Sequence, residues 1–362
     1  MLERVHDNGR VLRAAYRAIG RSIREERTIT PAAEWLVDNF HVVEEQLREI
    51  RDDLPAGFYR ELPKLADGPH RGYPRVYGLA WAFVAHTDSR LDPETLRRFV
   101  NAYQRVQPLT IGELWAVAIT IRIVLVENLR RVAEAIVRGR AARQEADALA
   151  DDVLGVGGDP VDPAAIGLQW LGEGPLVTAF AVQLVQRLRD QDPAVTPALL
   201  WLDQRLAAQG TTADEIVRVE HQGQAATNVT VRNVILSMTL MSSLDWSELF
   251  ESVSLVDGVL GATPGYGAMD FTTRDSYRHA IEELARGSRR SELDVARAAA
   301  LHAERARVGD AGGPHDARHH DVGYYLVGNG RVTFEQSLGF RGPPMRRWLR
   351  AFVGAAVPAY LG

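Results

Sequence analysis

Residues Leu36–Ile50 read LVDNFHVVEEQLREI, and apolar side chains recur in them at Leu36, Phe40, Val43, Leu47 and Ile50. Steps of four, three, four and three residues lay these side chains along one stripe of a helix with 3.6 residues per turn. Glu44, Glu45, Arg48 and Glu49 fall on the opposite side. The spacing therefore predicts one amphipathic helix over 36–50. The period repeats along the chain, at Leu176, Phe180, Leu184 and Leu188 and again at Leu96, Phe99, Val100 and Tyr103. The second of these helices has Asp92 as its cap and Pro93 at its first position. Leu114–Val126 is apolar on nearly every side except at Arg122, the pattern of a central helix packed all round.

Several helix starts carry a capping box, in which a side-chain oxygen and a carboxylate three residues on satisfy free backbone N–H groups. Thr110 with Glu113, Thr212 with Glu215, Asp245 with Glu248 and Thr272 with Asp275 fit this spacing, which gives four acidic residues a structural task. Breakers divide the rest. Leu54–Gly78 is rich in Pro, Gly and aromatic residues and reads as a long ordered loop. LGVGGDPVDP at Leu154–Pro163 reads as a hinge, and GDAGGPHD at Gly309–Asp316 separates the helices from a different tail. In that tail Val322–Val327 and Val332–Phe334 flank Gly328-Asn329-Gly330, a hairpin signal.

The expected fold is all-α, a multi-helix bundle or array with a short extended, hairpin-like C-terminal tail. Its expected parts are an N-terminal helical subdomain over 1–153, a central helical subdomain over 164–308 and an extended tail over 317–345. Segment 346–362 is a candidate start of a membrane helix. There Arg346, Arg347 and Arg350 precede the uncharged, mostly apolar run Ala351–Gly362. That run reads either as a short core helix or as the first turns of a membrane helix with its arginines on the cytoplasmic side.

Composition narrows the chemistry. With 46% hydrophobic and 25% charged residues over 362 positions, the chain is globular rather than disordered. A net charge of −5 supplies no overall basic field, so nucleic acid is not an expected partner. The absence of cysteine rules out disulfides, thiolate metal sites and a cysteine nucleophile. Lys64 is the single lysine, which leaves Schiff-base chemistry and Walker-type phosphate loops almost nothing to work with. Residues 1–27 mix arginine, glutamate and apolar side chains without the continuous apolar core of a secretory signal.

Individual motifs are incomplete. Gly155, Gly157 and Gly158 do not make a dinucleotide-binding fingerprint. Asp190-Gln191-Asp192 is formally a D-x-D metal motif but reads as a solvated turn. His315, His319 and His320 sit among Gly, Pro and Asp and read as a surface segment rather than a metal site. Asp270, Asp275 and Glu282 could supply a pair of carboxylates for glycoside chemistry, although a buried ion-pair network suits Asp270–Arg278 better. Tyr73, Arg75 and Tyr77, with Trp81 beyond, form an aromatic and arginine cluster suited to sugar stacking or to plain docking.

A longer pattern runs through these stretches. Pro31–Leu36, Asp38-Asn39-Phe40, Glu44-Glu45-Gln46, Leu62-Pro63, Gly72–Tyr77, Tyr103-Gln104, Pro108–Ala116 and Glu127–Arg130 resemble, in order, the opening of the cyclic β-1,2-glucan synthases. Asp245-Trp246, Glu251–Asp257, Met269–Arg278 and Val322–Leu326 continue the likeness, which spans about residues 30–340. Such synthases are large inner-membrane proteins that build β-1,2-linked glucan from UDP-glucose, then cyclise and trim it. The resemblance implies that this chain corresponds to the cytosolic region ahead of the first membrane helices, counted with the glycosyltransferase family 84 part.

The family's polymerase signatures, an acidic metal motif and a Q-x-x-R-W element, are not found here. Arg347-Trp348 has Pro344 where the glutamine would stand. The resemblance therefore implies a non-catalytic accessory or scaffold region, at the cytoplasmic face of a bacterial inner membrane. No cofactor is expected in this chain, while UDP-glucose and Mg²⁺ are implied for the full synthase. The implied partners are the transferase core and other synthase domains, the membrane through the following segment, and β-1,2-glucan. The alternative is an enzyme in its own right, an α/α-toroid acting on β-glucan with Glu113 or Asp270 as acid or base. Candidate contacts with glucan or the core are Tyr73, Arg75, Tyr77, Trp115, Asp270, Arg274 and Arg278.

Overall fold

A computed structural model of the protein describes residues 1–54, 57–154, 156, 175–189, 196–309 and 317–341. Among them every regular element is helical, and the one β-bridge joins Lys64 to Pro74. The chain falls into two compact units, one of Met1–Leu91 with Ala118–Leu244, the other of Asp92–Val117 with the chain from Asp245 onward. No helix among the described residues is long and apolar enough to cross a membrane. The expected hinge beyond Val156, the Asp190-Gln191-Asp192 turn, His315 and segment 346–362 lie outside the described residues.

The first unit contains α1 (Leu2–Arg24), α2 (Pro31–Asp38), α3 (Phe40–Asp53), the single turn α4 (Phe58–Glu61) and α5 (Arg75–His86). It also holds most of α7 (Ile111–Leu154), then α8 (Thr178–Leu188), α9 (Thr196–Ala208) and α10 (Ala213–Ser243). The predicted helix over 36–50 is two helices here. Asn39 interrupts it, its side-chain Nδ2 donating to the Trp35 carbonyl at 2.9 Å. A short amide that bonds the preceding turn competes with the backbone ladder, which is why the break falls there. The stripe survives the break, because Leu36, Phe40, Val43, Leu47 and Ile50 are all buried.

Ile121, Ile123, Val124, Leu125, Val126 and Leu129 of α7 are wholly buried, as a helix apolar on all sides requires. Arg122 is buried with them, its guanidinium donating to Gln46 Oε1 at 2.8 Å and pairing with Glu49 at 2.7 Å. Farther along α7, Ala142, Ala146 and Ala150 pack against Phe180, Leu184 and Leu188 of α8 and Leu202 and Leu206 of α9. Alanines four residues apart form a flat ridge that lets a neighbouring helix approach closely.

The second unit holds α6 (Pro93–Gln104), the first turns of α7, α11 (Trp246–Val253), α12 (Leu255–Gly261), α13 (Phe271–Ser288), α14 (Glu292–Gly309), α15 (Val322–Leu326) and α16 (Arg331–Leu338). The capping box at Thr110 is complete: its Oγ1 accepts from the Glu113 N–H at 3.2 Å, and its own N–H donates to Glu113 Oε2 at 3.0 Å. Thr110→Ala should cost about 1 kcal/mol in urea unfolding, the usual worth of such a cap. Thr212 and Asp245 also cap as expected, each accepting from the N–H three residues on.

Two further expectations are corrected. Asp270, not Thr272, caps α13, accepting from the Thr273 N–H at 2.7 Å. Thr272 lies inside that helix, so Asp275 is freed from capping and approaches Arg278 instead, at 3.8 Å. The hairpin at 322–334 is not formed, and two short helices stand in its place. A two-residue hairpin turn of that type needs positive φ at both central residues. Gly330 instead has φ −75°, and Asn329 is not in the left-handed region. The glycines are needed for contact: a Cβ at Gly330 would come within 2.3 Å of the Tyr324 ring. Similarly, a Cβ on Gly323 would meet the Tyr277 hydroxyl at 1.9 Å.

Candidate functional sites

In the first unit the loop ahead of α5 is pinned shut. The Leu65 N–H donates to Tyr73 O at 2.9 Å, the Gly72 N–H to Leu65 O at 2.9 Å, and the Arg75 N–H to Pro63 O at 2.7 Å. The pin sets Tyr73, Tyr77 and Trp81, four residues apart, on one face. Tyr73 stacks on Tyr77 with ring centroids 5.0 Å apart, and Trp81 follows at 6.3 Å. His70 meets Tyr77 edge-on at 5.3 Å. Arg131 lies over Trp81 at 4.9 Å and Arg4 over Tyr73 at 5.7 Å. Tyr73, Trp81 and His70 are half-buried, while Tyr77 and Arg75 are buried.

Beneath this shelf lies Glu127 of α7, only 4% exposed. It accepts from the Tyr77 hydroxyl at 2.8 Å, from Arg4 Nε at 2.9 Å and from Arg4 Nη2. Burial pushes the Glu127 carboxyl up, but the bonds from Arg4 and Tyr77 outweigh it and hold the group below the usual carboxylate range. Burial and the adjacent Glu127 carboxylate push the Tyr77 phenol well above its ordinary value. Tyr77 is thus a fixed hydrogen-bond donor rather than a nucleophile.

In the second unit Arg278 of α13 is fully buried. Its Nη2 donates to Asp257 Oδ1 at 2.7 Å and to Glu251 Oε1 at 2.6 Å, and its Nε reaches Asp257 Oδ2 at 3.1 Å. The guanidinium lies 4.9 Å from the centroids of both Phe250 and Phe271. Trp115 continues this stack, 4.3 Å from Phe250 and nearly parallel to it. Asp257 also accepts from the Tyr266 hydroxyl at 2.6 Å, and Glu251 pairs with Arg274 at 2.9 Å. Asp270 stands apart at the helix cap, where the Thr273 N–H lowers its pKa.

Trp115, Arg274 and Arg278 are therefore brought together, and Tyr73 with Tyr77 form a second group. Asp270 is engaged in capping. Sequence reasoning did not single out Glu127, Arg4, Glu251 or Asp257 as members of these clusters. The signal for three of them was present, since Glu127 opens one of the resembling stretches and Glu251 and Asp257 are the two ends of another. Another carboxyl of the second unit, Glu292, accepts the Ile111 N–H at 2.6 Å and is raised by burial, with Glu282 and Glu113 adding to the rise, to about 7. Among the described residues no group of three or more His, Asp or Glu side chains is arranged to hold a metal ion.

No family model matches the chain. Over 340 residues, 93% of its length, it is 37% identical to the cyclic beta-(1,2)-glucan synthase NdvB of Rhizobium meliloti (strain 1021). The chain spans only 12% of that protein. The kinship is thus with one region of a much longer synthase.

Proposed function

We propose that this chain is an accessory, scaffolding region of a cyclic β-1,2-glucan synthase, docking on a transferase core that carries out sugar transfer. The observation that carries the reading is the match of 93% of the chain to 12% of a synthase. Support comes from the way the carboxylates are used. Glu113 and Asp270 serve helix caps, and Glu127, Glu251 and Asp257 are held by arginine. Groups so committed have little freedom to exchange protons with a substrate. In the synthase as a whole, UDP-glucose is the donor and Mg²⁺ the metal, and this region works at the cytoplasmic face of the inner membrane. The half-buried shelf of Tyr73 and Trp81, edged by Arg4 and Arg131, is the face assigned to the core or to the glucan. Flat rings beside guanidinium groups suit both the C–H faces of pyranoses and protein docking.

One observation favours direct catalysis, by an α/α-toroid-type enzyme acting on β-glucan. Glu292, raised to about 7, has the acidity of a general acid. Its Oε2, however, is engaged by the first N–H of α7. Incubating the purified chain with labelled UDP-glucose, Mg²⁺ and linear β-1,2-glucan decides between the two readings. Nucleotide release and glucan length should both stay at background. Turnover that disappears in Glu113→Ala, Asp270→Ala or Glu292→Gln would establish the enzyme instead.

A further inference from the structure

Helix α10 packs on α2, α3 and α8, and Val231, Val234, Ile235 and Met238 lie on its buried side. Its outer side carries a second apolar pattern that this packing does not use. There Val219, Gln222, Ala226, Val229, Asn233 and Leu236 follow in steps of three, four, three, four and three. Such steps average 3.5 residues, the spacing of the seam between two paired helices. Val219 is 48% exposed, Val229 51% and Leu236 50%. Gln222 and Ala226 are exposed between them, and Asn233 is half-buried. Three large aliphatic side chains along one open helix face, over about 26 Å at 1.5 Å per residue, make a surface suited to being covered.

Charge narrows what can cover it. From Val219 to Ser243 the sequence holds one carboxylate, Glu220, and that group pairs with Arg143 at 3.4 Å. The two arginines flanking the seam are engaged within the chain. Arg218 pairs with Glu215 at 3.4 Å, and the Arg232 guanidinium lies 5.9 Å from the Trp35 ring centroid. A partner rich in charge would therefore bury its own groups unpaired, which is costly. The face fits a partner as neutral as itself, and its own copy is one.

We infer that two copies of this chain associate through α10, the two helices running antiparallel about a two-fold axis. That arrangement sets Val219 opposite Leu236, Gln222 opposite Asn233 and Ala226 opposite Val229, each pair made twice. A small side chain meets a larger one at the centre, and an amide meets an amide. Asn233 Nδ2 donates to the Asp88 carbonyl at 3.0 Å, so its Oδ1 is left to accept from the Gln222 amide. Gln222 has no hydrogen-bond partner among the described residues. The same register lays Arg232 beside Ala225 and Arg218 beside Thr239, so no like charges meet. In a parallel pair, by contrast, two Asn233 amides already committed to Asp88 would face each other. The pairing uses no residue of the aromatic shelf and does not rest on the accessory role proposed above.

Sedimentation equilibrium of the intact chain tests the inference. The average mass should rise from that of one 40.0 kDa chain toward twice that value, with half the chains paired near about 10 µM. Combining Val229→Glu with Leu236→Glu places carboxylates against one another across the axis and should weaken pairing at least tenfold. Both side chains are half exposed, so the thermal midpoint at low concentration should stay unchanged. Cysteine cross-linking, which needs no disruptive change, gives a second reading because the chain has no cysteine of its own. Across the axis the two copies of residue 226 are offset by about 4.5 Å along the helices, and those of residue 219 by about 26 Å. A short bismaleimide should therefore bridge Ala226→Cys into a dimer and leave Val219→Cys unbridged. A single-chain mass up to 200 µM would overturn the inference. So would a dimer that survives the paired glutamates, or equal bridging of the two cysteine variants.

Discussion

Arg278→Ala is expected to destabilise the second unit by about 3–5 kcal/mol, the largest single effect in the molecule. The side chain is fully buried and holds two carboxylates, Asp257 at 2.7 Å and Glu251 at 2.6 Å. Truncation leaves the Asp257 carboxylate, itself only 7% exposed, with the Tyr266 hydroxyl as its one described hydrogen bond. It also empties the space between Phe250 and Phe271. A loss of that size is a large fraction of the ~5–15 kcal/mol by which domains are stable. Urea unfolding at pH 7 reads it directly.

A double substitution separates charge from packing. Arg278→Met combined with Asp257→Asn should recover a good part of the loss, because the uncompensated buried charge has gone and the aliphatic volume remains. Glu251 keeps its partner Arg274 in that variant. If the double variant is as unstable as Arg278→Ala, the network's value lies in geometry that only the guanidinium can satisfy.

The second large effect concerns pH. Glu292 titrates at about 7 in the folded protein against 4.5 for the ordinary group, chiefly because burial disfavours its charged form. The folded state therefore binds this proton more tightly than the unfolded state. Stability from this source is full below about pH 4.5 and is lost as pH rises through about 7. The expected loss between pH 5 and 8 is about 2–3 kcal/mol. Glu282, also raised by burial, adds to the slope in the same sense.

Glu292→Gln keeps an acceptor for the Ile111 N–H and cannot ionise. Its unfolding free energy should change much less over pH 5–8, and at pH 8 it should exceed that of the parent chain. Urea titrations at four pH values across this window make the comparison. A slope as steep in the variant as in the parent would place the proton on another group.

Much of the architecture was legible because it is written within single turns of helix. The stripe from Leu36 to Ile50, the caps at Asp92, Thr110, Thr212 and Asp245, and the all-apolar stretch after Leu114 depend on residues three or four apart. The exceptions have local causes that composition does not rank. Asn39 breaks a helix whose apolar period runs on undisturbed. Asp270 takes a cap that Thr272 could equally have held. Gly328-Asn329-Gly330 has the residues of a hairpin turn, but close packing on Tyr324 holds them between two helices.

The candidate sites divide along the same line. Tyr77 and Trp81 share a face of α5 by their spacing alone, whereas Tyr73 joins them only through the backbone bonds that pin the preceding loop. Their partners come from far away: Arg4 and Glu127 are 123 residues apart, and Arg278 and Asp257 are 21 apart. Helical period tells which side of an element is polar but not which other polar face it meets. A buried charge takes whatever opposite charge the packing brings within hydrogen-bond reach, so those pairings were settled by how the helices stack.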